Sequence, residues 1–175
     1  MQVMYGKSEE SGEIKVTESY LDMMEESLRD KIKVLEEIVK ENETQKEILE
    51  STTAFDEKGF DEAISRKGEL IRRVENLNDG FESLYERVKK ELEDNKDKHR
   101  EKIKIFQNLI REITDLSNSI EAGEKRNKAL AQNYFSSSKG QINQNRKSSQ
   151  AALDYYLTMN KSKITPPQFY DRRTR

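Results

Sequence analysis

Cysteine and tryptophan are both absent from this chain of 175 residues, and histidine occurs once. Without cysteine the chain has no disulfide, no thiolate metal ligand and no thiol nucleophile. The single histidine, His99, lies on the apolar face of a helical pattern, so we interpret it as a residue of the helix seam or its rim. No glycine-rich phosphate loop, nucleophile elbow or Walker-type motif occurs. We therefore expect no catalytic residues, no cofactor and no metal, and hence not an enzyme.

The chain also has little proline, little glycine and no long apolar run. It contains 2 prolines and 7 glycines. A membrane-spanning helix needs about 18 consecutive apolar residues, and no such run occurs. The start, Met1 to Glu13, has no apolar core of the kind found in secretory signals. Charged residues make up 38% and hydrophobic residues 33%. This composition favours thin helices that each bury one stripe over a thick globular core.

Apolar residues recur at helical spacing through three stretches. The most regular stretch runs from Phe60 to Leu92, and its stripe follows steps of three and four: Phe60, Ile64, Ile71, Val74, Leu77, Phe81, Leu84, Val88 and Leu92. A long helix with so narrow a stripe needs partner helices along most of its length. We therefore predict that the other helices pack around this one.

The flanking sequence predicts two partner helices, near residues 17–52 and 98–135. The first has Thr17 as its predicted N-cap. A chain reversal at Ser51–Gly59 makes the first two helices antiparallel. At Glu93–Lys98 we favour a turn, with a continuous helix as the alternative. The predicted fold is all-α: an antiparallel coiled-coil hairpin, a long third helix and a marginal amphipathic C-terminal tail. The predicted divisions are a flexible arm (1–16), a three-helix bundle (17–135) and a basic tail (136–175).

Polar residues and glycines interrupt the stripes at a few points. Asn42 and Gln45 put amides into the seam of the first helix, which we interpret as register control, with a polar functional spot as the alternative. Gly68 and Gly80 indicate close helix contacts or mild bends within the second helix. Gly123 indicates a change in what the third helix touches.

Charge divides the chain into an acidic body and a basic tail. From Arg126 onward there are ten basic and two acidic residues, a net charge of +8. Because the whole chain carries −2, the first 125 residues carry −10. The tail has a weak amphipathic period from Ile142 to Met159, with too little apolar area to order itself alone. Basic and aromatic residues there are compatible with nucleic acid, but their spread and the acidic body favour a protein partner.

Three features occur in order along the chain: an aromatic turn, a late pattern in the third helix, and an aromatic tail. Their residues are Phe55–Glu62 with Ala63, Ile64 and Lys67; Asn127–Leu130 with Tyr134; and Ala151–Tyr156 with Met159, Phe169 and Asp171–Arg173. In this combination, from Leu21 onward, the chain resembles the FlgN family of flagellar type III export chaperones, in particular members from Gram-positive bacteria.

The resemblance implies a cytoplasmic chaperone for flagellar hook–filament junction proteins. Such a chaperone would bind the C-terminal helical region of its client and keep it soluble for export. A further candidate partner is the ATPase or gate of the export apparatus; no nucleic acid and no membrane span are expected. The predicted client-binding residues are Asn127, Leu130, Tyr134, Ile142, Ala152, Leu153, Tyr156 and Met159. The alternatives are a structural coiled-coil scaffold, or a chaperone for the filament cap or flagellin.

Overall fold

The computed structural model describes residues 5–137, with side chains from residue 10 onward, and these residues form three long α-helices. Helix α1 spans Tyr5–Glu50, α2 spans Glu57–Asp94 and α3 spans Arg100–Ser136. No strand occurs in this part of the chain, so the predicted all-α class is confirmed. The predicted tail, apart from Ser136 and Ser137, lies outside the described residues.

Both connections between the helices are short. Residues 51–56 join α1 to α2, and the Asp56 side chain caps α2 by accepting a hydrogen bond from the Gly59 backbone N–H at 2.9 Å. Residues 95–99 join α2 to α3, so the favoured turn occurs there and the continuous helix is excluded. Connections this short return the chain on itself. Helix α2 therefore runs antiparallel to both α1 and α3.

The central helix is α1, and the prediction that α2 holds this place is wrong. Both α2 and α3 pack along α1, whereas no Cα atom of α2 lies within 8 Å of one in α3. The reason is that α1 has two buried seams. Ser27 and Lys31 on one seam form hydrogen bonds with α2, Asn42 on the other contacts α3, and Gln45 between them contacts both helices. The regular stripe of α2 thus reflects a helix whose backbone packs closely against one other helix, α1.

The start of α1 also differs from the predicted arm. Helix α1 begins at Tyr5, so most of the segment interpreted as a flexible arm is helical. Its side chains from Glu10 to Val16 are exposed, apart from a half-buried Ile14, which agrees with the absence of an apolar stripe. A helix already nucleated by packing extends cheaply through residues of good propensity such as Lys and Glu. The absence of an apolar stripe therefore indicated that this segment does not pack against another helix. It did not indicate that the segment is not helical.

The core consists of one large and one small apolar cluster. The large cluster extends from Leu21 and Leu92 at one end to Ile38 and Leu70, with Phe81, Phe106 and Ile113 among its buried side chains. The small cluster lies at the other end, around Leu49 and Phe60. No helix within residues 5–137 is long and apolar enough to cross a bilayer.

Candidate functional site

Four aromatic rings meet at the end of the bundle where α3 stops. We call Phe55, Phe60, Tyr134 and Phe135 the aromatic end. The Phe55 and Tyr134 rings stack, with centroids 4.4 Å apart and an angle of 25° between planes. Phe135 meets Phe55 edge-on at 6.3 Å, and Phe55 tilts against Phe60 at 5.5 Å. Offset and edge-on pairs of this kind are favourable beyond their buried area.

The aromatic end is only partly covered. Phe60 is fully buried, whereas Phe55, Tyr134 and Phe135 are half-buried. Half-buried aliphatic side chains pack around it: Ile48, Ile64 and Leu130. The bundle therefore presents partly exposed apolar surface next to Ser137, from which the chain continues into its basic segment.

Above the aromatic end, buried polar side chains from all three helices meet at one level. We call Asn42, Gln45, Lys67, Glu124 and Asn127 the polar layer. The Lys67 ammonium donates to Gln45 Oε1 at 2.7 Å and forms an ion pair with Glu124. Asn127 Nδ2 donates to the Asn42 carbonyl oxygen at 2.9 Å and to Gln45 Oε1 at 3.3 Å. This network separates the small apolar cluster from the large one.

The polar layer is only partly satisfied. Within the described part of the chain, both ends of the Asn42 amide and the Gln45 Nε2 group are buried with no hydrogen-bond partner. Leaving such a group unpaired costs about 1–3 kcal/mol. Burial lowers the pKa of Lys67 to about 8, although the Glu124 carboxylate acts in the opposite direction. The polar layer therefore lowers the free energy of unfolding. Such a cost is expected of buried polar groups that control helix register, which is the interpretation given to Asn42 and Gln45.

Gly123 and Arg126 complete the packing of α3 against this layer. A Cβ atom at Gly123 would lie 3.0 Å from Asn42 Nδ2, so a larger residue would require the Asn42 side chain to shift. Arg126 donates to Glu43 Oε1 at 3.0 Å and to Asn127 Oδ1 at 3.2 Å. Gly123 thus lies at the level of the polar layer, between the part of α3 that contacts the large apolar cluster and the part that contacts the small one. Gly68 and Gly80 differ, because a Cβ atom there would meet nothing within 4 Å. Their interpretation as close contacts is wrong.

The structure brings together only some of the predicted client-binding residues. Leu130 and Tyr134 both lie at the aromatic end and keep part of their surface exposed. Asn127 differs from them, because its side chain is 0% exposed and its amide donates hydrogen bonds within the polar layer. The remaining five lie outside the described residues: Ile142, Ala152, Leu153, Tyr156 and Met159.

Three residues of the aromatic end were missing from the predicted client-binding set: the buried Phe60 and the half-buried Phe55 and Phe135. Phe55 occupies a turn that is otherwise polar, and an aromatic residue in such a turn signals a tertiary contact. Phe135 directly follows Tyr134, so the helical spacing that included Tyr134 in the stripe did not include Phe135. In the structure the centroids of the two rings are 5.2 Å apart. The burial of Lys67 could also have been expected from the sequence, because Lys67 occupies the heptad position between the apolar residues Phe60 and Val74.

The single histidine has a structural setting. His99 is 9% exposed and precedes the first residue of α3. Its Nε2 atom lies 3.2 Å from Glu91 Oε1, and this hydrogen bond lowers the pKa of the Glu91 carboxyl. Within residues 5–137, no group of three or more His, Cys, Asp or Glu side chains is arranged to hold a metal ion. His99 thus joins the ends of α2 and α3.

No protein-family model matches the chain, and no significant match occurs among curated proteins or solved structures.

Proposed function

We propose that this protein is a cytoplasmic export chaperone of the FlgN type. It would bind the C-terminal helical region of a flagellar hook–filament junction protein. The proposal rests on one observation. Two predicted client-binding residues, Leu130 and Tyr134, lie together on partly exposed apolar surface, and the chain continues from that surface into the segment that contains the other predicted contacts.

The proposed mechanism divides the work between the bundle and the basic segment. The bundle supplies an assembled apolar platform, because the Phe55 ring contacts Phe60 and Tyr134, and the Tyr134 ring contacts Phe135. An amphipathic client helix would cover this platform, with Leu153, Tyr156 and Met159 as further anchors. Burying apolar surface is worth about 25 cal/mol per Å², reduced by the cost of ordering the partner segments. A preformed platform lowers that cost.

Calorimetric titration with the C-terminal helical peptide of a junction protein tests the proposal. We expect Tyr134→Ala and Tyr156→Ala each to weaken binding by about 1–3 kcal/mol, as truncation of interface aromatic residues does. Tyr20→Ala is the matched control, since Tyr20 lies on α1, where its hydroxyl oxygen accepts a hydrogen bond from Arg87. This control should bind the peptide like the unaltered protein.

The outcomes separate the proposed client from its alternatives. No binding of junction peptides together with binding of filament-cap or flagellin peptides would keep the chaperone class and change the client. Absence of binding to all three would favour the structural scaffold. Equal affinities of Tyr134→Ala, Tyr156→Ala and Tyr20→Ala would show that the client uses another surface.

A further inference from the structure

The two halves of α3 are held in the bundle by very different contacts. Before the polar layer, large side chains anchor α3 in the main cluster, and four of them are almost inaccessible: Phe106, Ile110, Ile113 and Ile120. Beyond Gly123 the only fully buried residues of α3 are Asn127 and Ala131. Leu130, Tyr134 and Phe135 contribute half-buried surface. The side chains that hold the last turns are thus fewer, smaller and partly polar.

The junction between the halves is also weak. Gly123 lies inside α3, where glycine lowers helix propensity. A Cβ atom there would lie 3.0 Å from Asn42 Nδ2, and this amide is buried with no hydrogen-bond partner among the described residues. When α3 leaves, water can reach the Asn42 amide and Gln45 Nε2. Hydration of these groups therefore offsets part of the free energy that opening costs.

We propose that the segment Glu124–Ser136 is a flap that opens from the bundle as one unit, hinged at Gly123, while the rest of α3 stays packed. Opening uncovers Leu49 and Phe60, the two large buried side chains of the small cluster. It also breaks the ion pair between Lys67 and Glu124 and carries Tyr134 away from Phe55. The flap is a local unfolding unit of low stability within a stable scaffold. It does not depend on the proposed chaperone function.

Native-state hydrogen exchange of the full chain, followed by mass spectrometry at increasing urea, tests the flap. We expect amides of Glu124–Ser136 to exchange at least about tenfold faster than those of Phe106–Ile120, with little dependence on urea. Equal rates and equal urea dependence in the two segments would overturn the proposal. They would mean that α3 opens only with the whole bundle.

A variant with an apolar layer tests the cause. Asn42→Leu, Gln45→Leu, Lys67→Met, Glu124→Leu and Asn127→Leu together replace the polar layer by apolar side chains of similar size. We expect exchange of the flap in this variant to slow by at least about tenfold, because apolar replacement removes the unpaired groups. Lys31→Met is the matched control, since it removes a buried lysine far from the layer. It should leave flap exchange unchanged, and a flap slowed equally by both variants would contradict the proposed role of the layer.

The absence of cysteine allows a second measurement that does not need the multiple variant. Ala131→Cys places a thiol on the buried face of the flap, and Val74→Cys places one in the main cluster; the native residues are 2% and 0% exposed. We expect the thiol at position 131 to be labelled at least about tenfold faster under native conditions. Labelling of both thiols at one rate would contradict local opening.

Discussion

At the scale of single residues, two lysines in seam positions are buried, and the desolvation of their charged groups lowers the stability of the fold. Lys31 and Lys67 are 2% and 0% exposed, and burial lowers the pKa of each to about 8. Lys67 has Glu124 as an ion-pair partner, whereas Lys31 donates to the neutral amide oxygen of Asn78 at 2.7 Å. Lysine is rarely buried so deeply. The long apolar stem of lysine lets both residues fill heptad positions among leucines and phenylalanines.

Lys31 should make the stability of the bundle depend on pH. Its pKa is about 8 in the folded chain and near its ordinary 10.5 when unfolded, so the unfolded state binds more protons between these values. Stability should therefore rise from pH 8 toward pH 10.5 and be lower below pH 8, by at most about 3 kcal/mol for this group. Urea unfolding at pH 7.5 and 9.5 measures the effect.

The variant Lys31→Met is the control for this pH dependence. It should be more stable than the unaltered protein at pH 7.5 and show a smaller rise to pH 9.5, the remainder belonging to Lys67. An identical rise in both proteins would show that Lys31 is not the titrating group.

Two glycines should respond oppositely to alanine. Gly80→Ala should raise the free energy of unfolding by about 0.5–1 kcal/mol, because helix propensity improves and the new Cβ atom meets nothing within 4 Å. Gly123→Ala should lower it, because the Cβ atom would press on the Asn42 amide. Thermal or urea unfolding of the two variants compares them. The combination Asn42→Ala with Gly123→Ala should recover the loss, and an increase in stability for Gly123→Ala alone would contradict the assigned contact.

At the scale of helices, the three elements differ in how much of their surface is buried. Helix α1 buries two seams and is central, while α2 and α3 each bury a single stripe against it. Among the described side chains, those of Glu10–Val16 in α1 and those of the last turns of α3 include the fewest deeply buried ones. Stability should therefore be highest in the middle of the bundle and lower at both of these ends.

Truncation of one phenylalanine in each cluster should show this gradient. Phe81 is 2% exposed in the main cluster, so Phe81→Ala should lower the free energy of unfolding by about 3–5 kcal/mol. Phe55 is half-buried at the aromatic end, and Phe55→Ala should cost about 1–2 kcal/mol, since its ring buries less apolar surface. Chemical denaturation of both variants gives the comparison. Equal losses would mean that the small cluster stabilises the fold as much as the large one.

At the scale of the whole molecule, the bundle carries its own core. Within the described residues, both apolar clusters contain side chains from all three helices, and Phe81, Phe106 and Ile113 are buried among them. Removing the C-terminal segment after Ser137 should therefore leave helicity per residue of the bundle and its melting temperature within about 2 °C of the full chain. Circular dichroism of the shortened chain measures both. A fall of more than about 8 °C would show that the segment belongs to the core.

Several features of this protein followed from the sequence alone. The heptad spacing of Phe60, Val74, Phe81 and Val88 predicted a buried helical stripe, because side chains seven apart share one face. The turns at Ser51–Gly59 and Glu93–Lys98 followed from breaks in the apolar period. Gly123 indicated a change of contacts in α3. These are local properties, determined by backbone geometry and by the chemistry of neighbouring residues.

Other features were decided only by the tertiary structure. The central place of α1 depends on which of its faces contact α2 and α3. An apolar stripe in the sequence shows that a face is buried, but it does not show which helix covers that face. The meeting of Lys67 with Glu124, and of Phe55 with Tyr134, joins residues far apart in the chain. Asn127 looked like an accessible amide until its neighbours on α1 were known. Spacing along one helix determines which side chains share a face, whereas burial and pairing depend on what the other helices bring to that face.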